Sequence, residues 1–565
     1  MPNAERMKAL LAKAYFPKEL PQPFTTEDFG QHAGDILEEW EKSKLFKKEP
    51  SKITSKKMKR GSYSYKLDSA EIEVISTPKR GYERRDIHVT HPLPQALLYS
   101  EMSNGWKEIQ KWLLRQRFSL DEIRIASDAG RAIKGINFPL HKAKKNYIEA
   151  TSDWLVKTDI TRFYPSIYTH SIPWAAYGKE RVKSDLKLYQ GSLGDRLDVL
   201  VRACNRNQTV GLPIGPESSR ILAEVISARI DDDFSKLQER ITPQTADRLQ
   251  DDWFLGLKTF EESESALASI ISVYRTYGLE INGSKTSVSR VVAHAEEAWI
   301  SELGSFLSHR SGPLKGSRLK EFLTLSLRLQ VENERSAVTN YALSVLENNP
   351  INKDDIDILE SFLLKAALIS PGSMSRICEL LINLGFKTSR ISKSRIGSRF
   401  IELAERNLAN GNTYEVIWQI YTLRGLNIAL NSRNICETMK YYPSSAIALI
   451  LLDMESKGLC ARRLPKDTWE QNISKEKVRT DWIWLLAYEG IRHGWLRDTS
   501  GVMADSLFAP LSKRNIVFYD PRRNVPKTEK TVKIRAASRR KNVERIARFM
   551  LDIRGLGEEE EDEDY

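Results

Sequence analysis

Trp154-Leu155-Val156-Lys157-Thr158-Asp159-Ile160-Thr161-Arg162-Phe163-Tyr164-Pro165-Ser166-Ile167 is the stretch on which the reading of this chain turns. An apolar, β-prone run from Trp154 to Val156 delivers a carboxylate at its end. Two aromatics and a proline follow, so the pattern predicts Asp159 where a strand turns into a helix. A carboxylate so placed can ligate a metal, or it can simply cap the helix. A second acidic cluster downstream decides between the two.

Asp247-Arg248-Leu249-Gln250-Asp251-Asp252-Trp253-Phe254-Leu255-Gly256 reads as two short apolar arms around an Asp-Asp turn, a hairpin with two carboxylates at its tip. Adjacent carboxylates repel, and a divalent cation is the commonest way to make such a pair tolerable. Asp159, Asp251 and Asp252, drawn from separated strand ends, suit a pair of Mg²⁺ ions engaged in phosphoryl or nucleotidyl transfer. Asp231-Asp232-Asp233 is a rival cluster at the end of a predicted helix, where a solvated surface is expected.

The chain has 565 residues, 41% hydrophobic and 29% charged, which excludes a disordered protein and allows two or more domains. No apolar run approaches the roughly 20 residues that cross a bilayer, so a cytoplasmic protein with no membrane partner is expected. Cys204, Cys378, Cys436 and Cys460 lack zinc spacing and read as reduced core residues. A net charge of +12, gathered in runs such as Lys56-Lys57-Met58-Lys59-Arg60 and Arg539-Arg540-Lys541, favours nucleic acid as partner over a merely basic surface.

Residues 1–75 read as a helical and basic segment, broken by the prolines of Phe16-Pro17-Lys18-Glu19-Leu20-Pro21. Pro78 to Val89 is a basic turn between two strands, with Arg80 and Arg85 among its charges. Gly211-Leu212-Pro213-Ile214-Gly215 is a loop whose glycines permit close backbone approach; Leu222, Val225, Ile226 and Ile230 then follow a helical period. From about 311 to 510 one amphipathic helix follows another, a scaffold without a catalytic constellation. Residues 511–565 read as a basic and then acidic tail, ending in Glu558 to Asp564 and Tyr565.

These segments resemble the reverse transcriptases. Asp159 with Phe163-Tyr164 is similar to motif A, Gly211 to Arg220 to motif B, Gln250-Asp251-Asp252 to motif C, and Tyr277-Gly278-Leu279-Glu280-Ile281-Asn282-Gly283-Ser284-Lys285-Thr286 to motif D. The form of motif B and the Phe16 to Pro21 stretch resemble the abortive-infection and defence-associated reverse transcriptases of bacteria. The fold implied is α+β: fingers and palm over residues 76–310, an antiparallel sheet with helices, followed by an all-α HEAT-like helical-repeat domain over 311–510.

The resemblance further implies antiphage defence in a bacterial cytoplasm and RNA-directed DNA synthesis from dNTPs. It implies two Mg²⁺ ions, with Mn²⁺ as a substitute, held by Asp159, Asp251, Asp252 and the Ile160 carbonyl. Lys285 would protonate the leaving pyrophosphate. Arg80 or Arg85 would grip the triphosphate, and Phe163, Tyr164, Gly211, Pro213 and Gly215 would form the nucleotide pocket, with Tyr164 excluding a 2′-hydroxyl. Implied partners are a non-coding RNA template, the DNA product and further copies of the chain, as a trimer or hexamer. Ile214 departs from the family's Gln, which favours template-independent, protein-primed synthesis as the alternative. Outside the class, the alternative is a nucleic-acid-binding scaffold with an inactive palm.

Overall fold

Two hairpins precede the main sheet. β1 (Phe46–Pro50) pairs antiparallel with β2 (Tyr63–Leu67), and β3 (Glu73–Pro78) with β4 (Arg84–Val89). A computed structural model of the protein describes residues 1–50, 62–79, 81, 83–127, 130–293, 297–308, 312–349 and 351–526, with positions 533, 537, 543 and 545–547. Arg80, the Lys56 to Arg60 run and the acidic tail through Tyr565 lie outside the described residues.

The main sheet is antiparallel with strand order β6-β7-β5-β8, where β5 is Trp154–Thr158, β6 Ala246–Leu249, β7 Asp252–Leu257 and β8 Ser287–Arg290. In register Thr158 faces Trp253 and Val156 faces Val288. Strand alternation sorts the side chains onto two faces. On one, Val156, Trp253 and Leu255 join the main core with Phe234 and Tyr274, from the Glu217–Leu237 and Phe260–Thr276 helices. On the other, Leu155 and Phe254 meet Ile148 of the Phe138–Thr151 helix in a small separate cluster.

From Ala298–Ser308 onward the described elements are helices. The Thr413–Gly425 and Ser445–Ser456 helices run through its centre and are buried on nearly every side, Val416 to Leu423 and Ala446 to Met454 among them. The molecule is therefore mixed α+β with a helical C-terminal region, and its helices pack in consecutive pairs such as Lys393–Ala409 with Thr413–Gly425.

This region is fastened to the β3–β4 hairpin. Arg84 forks onto Glu415 at 2.7 and 2.8 Å, Thr413 Oγ1 accepts from the Ser76 amide at 2.9 Å, and Ser444 donates to Glu73 at 2.7 Å. The two ends of the described chain also meet. Trp40 Nε1 donates to the Leu507 carbonyl at 2.9 Å, and the Phe24 ring lies edge-on to Tyr519 at 5.1 Å. Ile516, Phe518 and Tyr519 are buried, so the stretch expected to be tail begins as core.

Candidate active site

Asp159 follows the last residue of β5, and the motif D segment grips the backbone around it. The Asn282 amide donates to the Asp159 carbonyl at 2.7 Å, the Thr161 amide to Glu280 at 2.9 Å, and Ile160 bridges Ile281. Arg162 then takes the left-handed conformation (φ 47°), sparsely used by non-glycine residues, and turns the chain into the short Phe163–Ser166 helix. Phe163 is buried, its ring packed in the core, while Tyr164 is half-buried at 5.4 Å from it. Burial, and then the charge of Asp251, push the Tyr164 hydroxyl pKa up.

The β6–β7 hairpin brings the second carboxylate. Gln250 and Asp251 form its turn, with Gln250 left-handed (φ 58°), and Asp252 begins β7 opposite Leu249. The expected Asp-Asp tip is thus a Gln-Asp tip. Asp251 is hydrogen-bonded to Asp159; burial, that contact and the charges of Asp252 and Asp159 push its carboxyl up to about 8. A hydrogen bond between two carboxyls needs a proton on one of them, so the pair carries charge it cannot fully express. Lys285, on the 3₁₀ turn Gly283–Lys285, places its ammonium on Asp159.

Behind this turn stand two buried ionic clusters, and here the apolar first arm expected of the hairpin is replaced. Arg248, fully buried, bonds Asp231 at 2.6 and 3.0 Å, Glu224 at 2.6 Å and the Gln250 carbonyl at 2.8 Å. Asp231 is likewise fully buried and also accepts from the Arg117 and Phe118 amides, so it is not solvated surface. On the opposite face Asp247 meets His141 at 2.8 Å and Lys144 at 3.5 Å, both buried. Burial pulls the His141 imidazole pKa down, but the hydrogen bonds and charges of Asp121 and Asp247 outweigh it and the net shift is upward.

The motif B loop reaches Tyr164 through the backbone. The Gly211 amide donates to Ile167 at 2.8 Å and the Leu212 amide to Tyr164 at 2.9 Å, while the Pro213 carbonyl accepts from Ser219 at 2.6 Å. From the other side His88 of β4 holds Ile214: His88 Nδ1 accepts its amide at 2.9 Å and the His88 amide donates to its carbonyl at 2.6 Å. Burial lowers the His88 imidazole to about 4, which keeps Nδ1 free to accept. Gly215 (φ +136°) needs to be glycine, because a Cβ would lie 2.7 Å from the His88 carbonyl and 2.8 Å from Pro17. Arg85 is exposed on β4 opposite Thr77.

Asp159 and Asp252 open onto a cleft of about 460 Å³ whose floor is Phe254 and whose wall carries Lys145, Lys157 and Glu149. The Lys145 and Lys157 ammoniums each lie 5.4 Å from the Phe254 ring centroid. Of the residues that matter here, Arg248, His88, Lys145 and Lys157 give no functional signal in the sequence. The only hint is a pair of charges, Asp247-Arg248, inside a strand pattern.

Among the described residues no three His, Cys, Asp or Glu side chains form a ready-made metal cage. Mg²⁺ rarely asks for one, since it takes one or two carboxylates and fills its shell with water and substrate phosphate oxygens. The crowded Asp159–Asp251 pair, with the single Lys285 ammonium on Asp159, fits that demand.

No protein-family model and no curated protein matches the chain. Among solved structures, the apo telomerase of Candida tropicalis is similar at 12% identity and a TM-score of 0.29, over 76% of this chain and 72% of that one. The telomerase of Candida albicans, in complex with a TWJ fragment of telomeric RNA, is similar at 11% identity and a TM-score of 0.24, over 63% and 68%. The functional reading rests on the chain's own residues.

Proposed function

We propose that the chain is a reverse transcriptase of the bacterial defence type, joining dNTPs into DNA by metal-assisted nucleotidyl transfer. The observation that carries this reading is the hydrogen-bonded pair Asp159 and Asp251, delivered by the ends of adjacent strands beside Tyr164 and the motif B loop. Asp159, Asp251 and the Ile160 carbonyl would hold Mg²⁺, with Asp252 alongside. The bound ions supply a lowered pKa for the attacking hydroxyl and positive charge for the triphosphate. Lys285, held on Asp159, would be the residue within reach of the leaving phosphate and able to give it a proton. Tyr164, held by the loop, backs the sugar and favours dNTP over NTP.

A second reading within the class is template-independent, protein-primed synthesis. Ile214 favours it, because its side chain cannot hydrogen-bond and both its backbone groups are engaged by His88, leaving nothing there to align a template base. Antiphage defence, assembly into a homo-oligomer and a bound non-coding RNA belong to the same proposal.

The test is incorporation of each labelled dNTP and NTP with Mg²⁺, with and without RNA template, before and after RNase. Incorporation of dNTP that disappears in Asp251→Asn supports the polymerase; sensitivity to RNase selects templated copying. No incorporation under any condition leaves only the scaffold.

A further inference from the structure

β3 and β4 form a ribbon of two strands, which on its own is marginally stable and takes its position from whatever grips it. Its two outer edges are held by different parts of the chain. On the β3 edge the Ser76 amide donates to Thr413 Oγ1 at 2.9 Å, and on the β4 edge the His88 amide donates to the Ile214 carbonyl at 2.6 Å. Paired strands lie about 4.8 Å apart, so one ribbon width separates the helical region from the loop that meets Tyr164. Arg84 locks the same spot. Besides its fork onto Glu415 it donates to Ser76 Oγ and to the Ser76 carbonyl, each at 2.8 Å, and it stands four residues before His88 on the same face of β4.

The kind of contact matters as much as its place. Glu73 and Glu415 are both buried, and Glu73 closes the start of the Ser445–Ser456 helix, accepting from Ser444 at 2.7 Å and from the Ala446 amide at 3.1 Å. Buried carboxylates add little strength over apolar packing, yet they hold one register against its neighbours. We infer that Thr413 and Glu415 are positioning residues for the nucleotide pocket: through the β3–β4 ribbon and His88 they set where the Gly211–Gly215 loop stands against Tyr164. The role in nucleotide binding rests on the polymerase reading above, whereas the link from helix to loop does not.

The experiment is hydrogen–deuterium exchange of the full-length protein, read at the Leu212 and Ile214 amides, together with KM and kcat for dNTP in Mg²⁺. Thr413→Val/Glu415→Gln removes the acceptor and the charge while keeping both side-chain shapes. Loop exchange should rise about 3- to 10-fold, as where one hydrogen bond is weakened, and KM by a similar factor with kcat unchanged. In His88→Ala, where the loop is already released, the same two substitutions should add nothing. His88→Asn, which keeps an acceptor near the place of Nδ1, should loosen the loop less than His88→Ala. Unchanged loop exchange overturns the link. So does a rise shared equally by β5 and β7, which marks general loosening, or one that adds in full to that of His88→Ala. Faster loop exchange with an unchanged KM overturns the positioning role. Failure of the polymerase reading is separable: faster loop exchange in a protein that incorporates no nucleotide keeps the link and removes the enzyme, whereas incorporation with unchanged exchange does the reverse.

Discussion

Arg248 donates to the Gln250 carbonyl at 2.8 Å from a position with no solvent exposure. One guanidinium therefore ties Asp231 and Glu224 of the Glu217–Leu237 helix to the turn that presents Asp251. Removing it strands two buried carboxylates. Arg248→Met should cost about 3–5 kcal/mol in a urea titration, and adding Glu224→Gln and Asp231→Asn should recover part of that stability. If Arg248→Met alone is neutral, the cluster does not hold the turn.

Metal should stabilise the folded protein through Asp159 and Asp251. At a Mg²⁺ concentration about 100 times its Kd, linkage adds about 2.7 kcal/mol, visible as a raised melting temperature. Asp159→Asn and Asp251→Asn should each abolish that increment along with dNTP incorporation. An equal increment in both variants would place the metal elsewhere.

Gly215→Ala tests the seam between β4 and the Gly211–Gly215 loop. Its Cβ would meet the His88 carbonyl at 2.7 Å, in a backbone conformation that side chains resist. The expected cost is about 1–3 kcal/mol, with a raised KM for dNTP as the loop shifts away from Tyr164. A variant with wild-type stability and KM would show the loop to be compliant.

The cluster around His141 gives a pH dependence. Its folded pKa is raised above the unfolded value by Asp121 and Asp247, so its contribution is fully present below about 6.5 and disappears as pH rises through the folded pKa. The urea midpoint of the wild type should fall as pH is raised from mildly acidic to alkaline, and His141→Gln should flatten that fall. A parallel decline in both proteins would assign the effect to other groups.

Arg84 and Glu415 should couple with a definite sign. The Glu415 carboxylate is 2% exposed and its partner 27%, so Arg84→Ala leaves a buried charge unpaired. The double variant Arg84→Ala/Glu415→Gln should be more stable than Arg84→Ala alone. Additive destabilisation would mean that the pair contributes only packing.

The end of the sheet that carries Asp159 and Asp251 is legible in the sequence because its signals are local. A strand run ending in Asp159 and a second run around Gln250-Asp251-Asp252 fix where the strands stop, and the structure joins those ends. The consecutive helices after residue 311 are readable from period alone. What escapes are charges whose partners are distant in sequence: Asp231 and Arg248, 17 residues apart, satisfy each other, and either alone reads as surface. His88 and Ile214 are 126 residues apart, and neither gives a sign that one would seat the other. The burial of Phe163 is not readable from sequence, because an aromatic after a strand end can face outward or into the core equally well, and only the turn at Arg162 decides.

The hydrogen bond between Trp40 and Leu507 spans 467 residues of chain. At ribosomal speeds of about 5–20 residues per second, the indole and the apolar face around it wait about half a minute to a minute and a half for the residues that cover them. The face around Trp40 stays uncovered until then, and the β3–β4 hairpin stays unbraced until the Thr413–Gly425 helix emerges. A nascent or interrupted chain therefore carries both aspartates before the helices that brace the β3–β4 hairpin and cover Trp40 exist, and that frame closes only once residues near 507 have emerged.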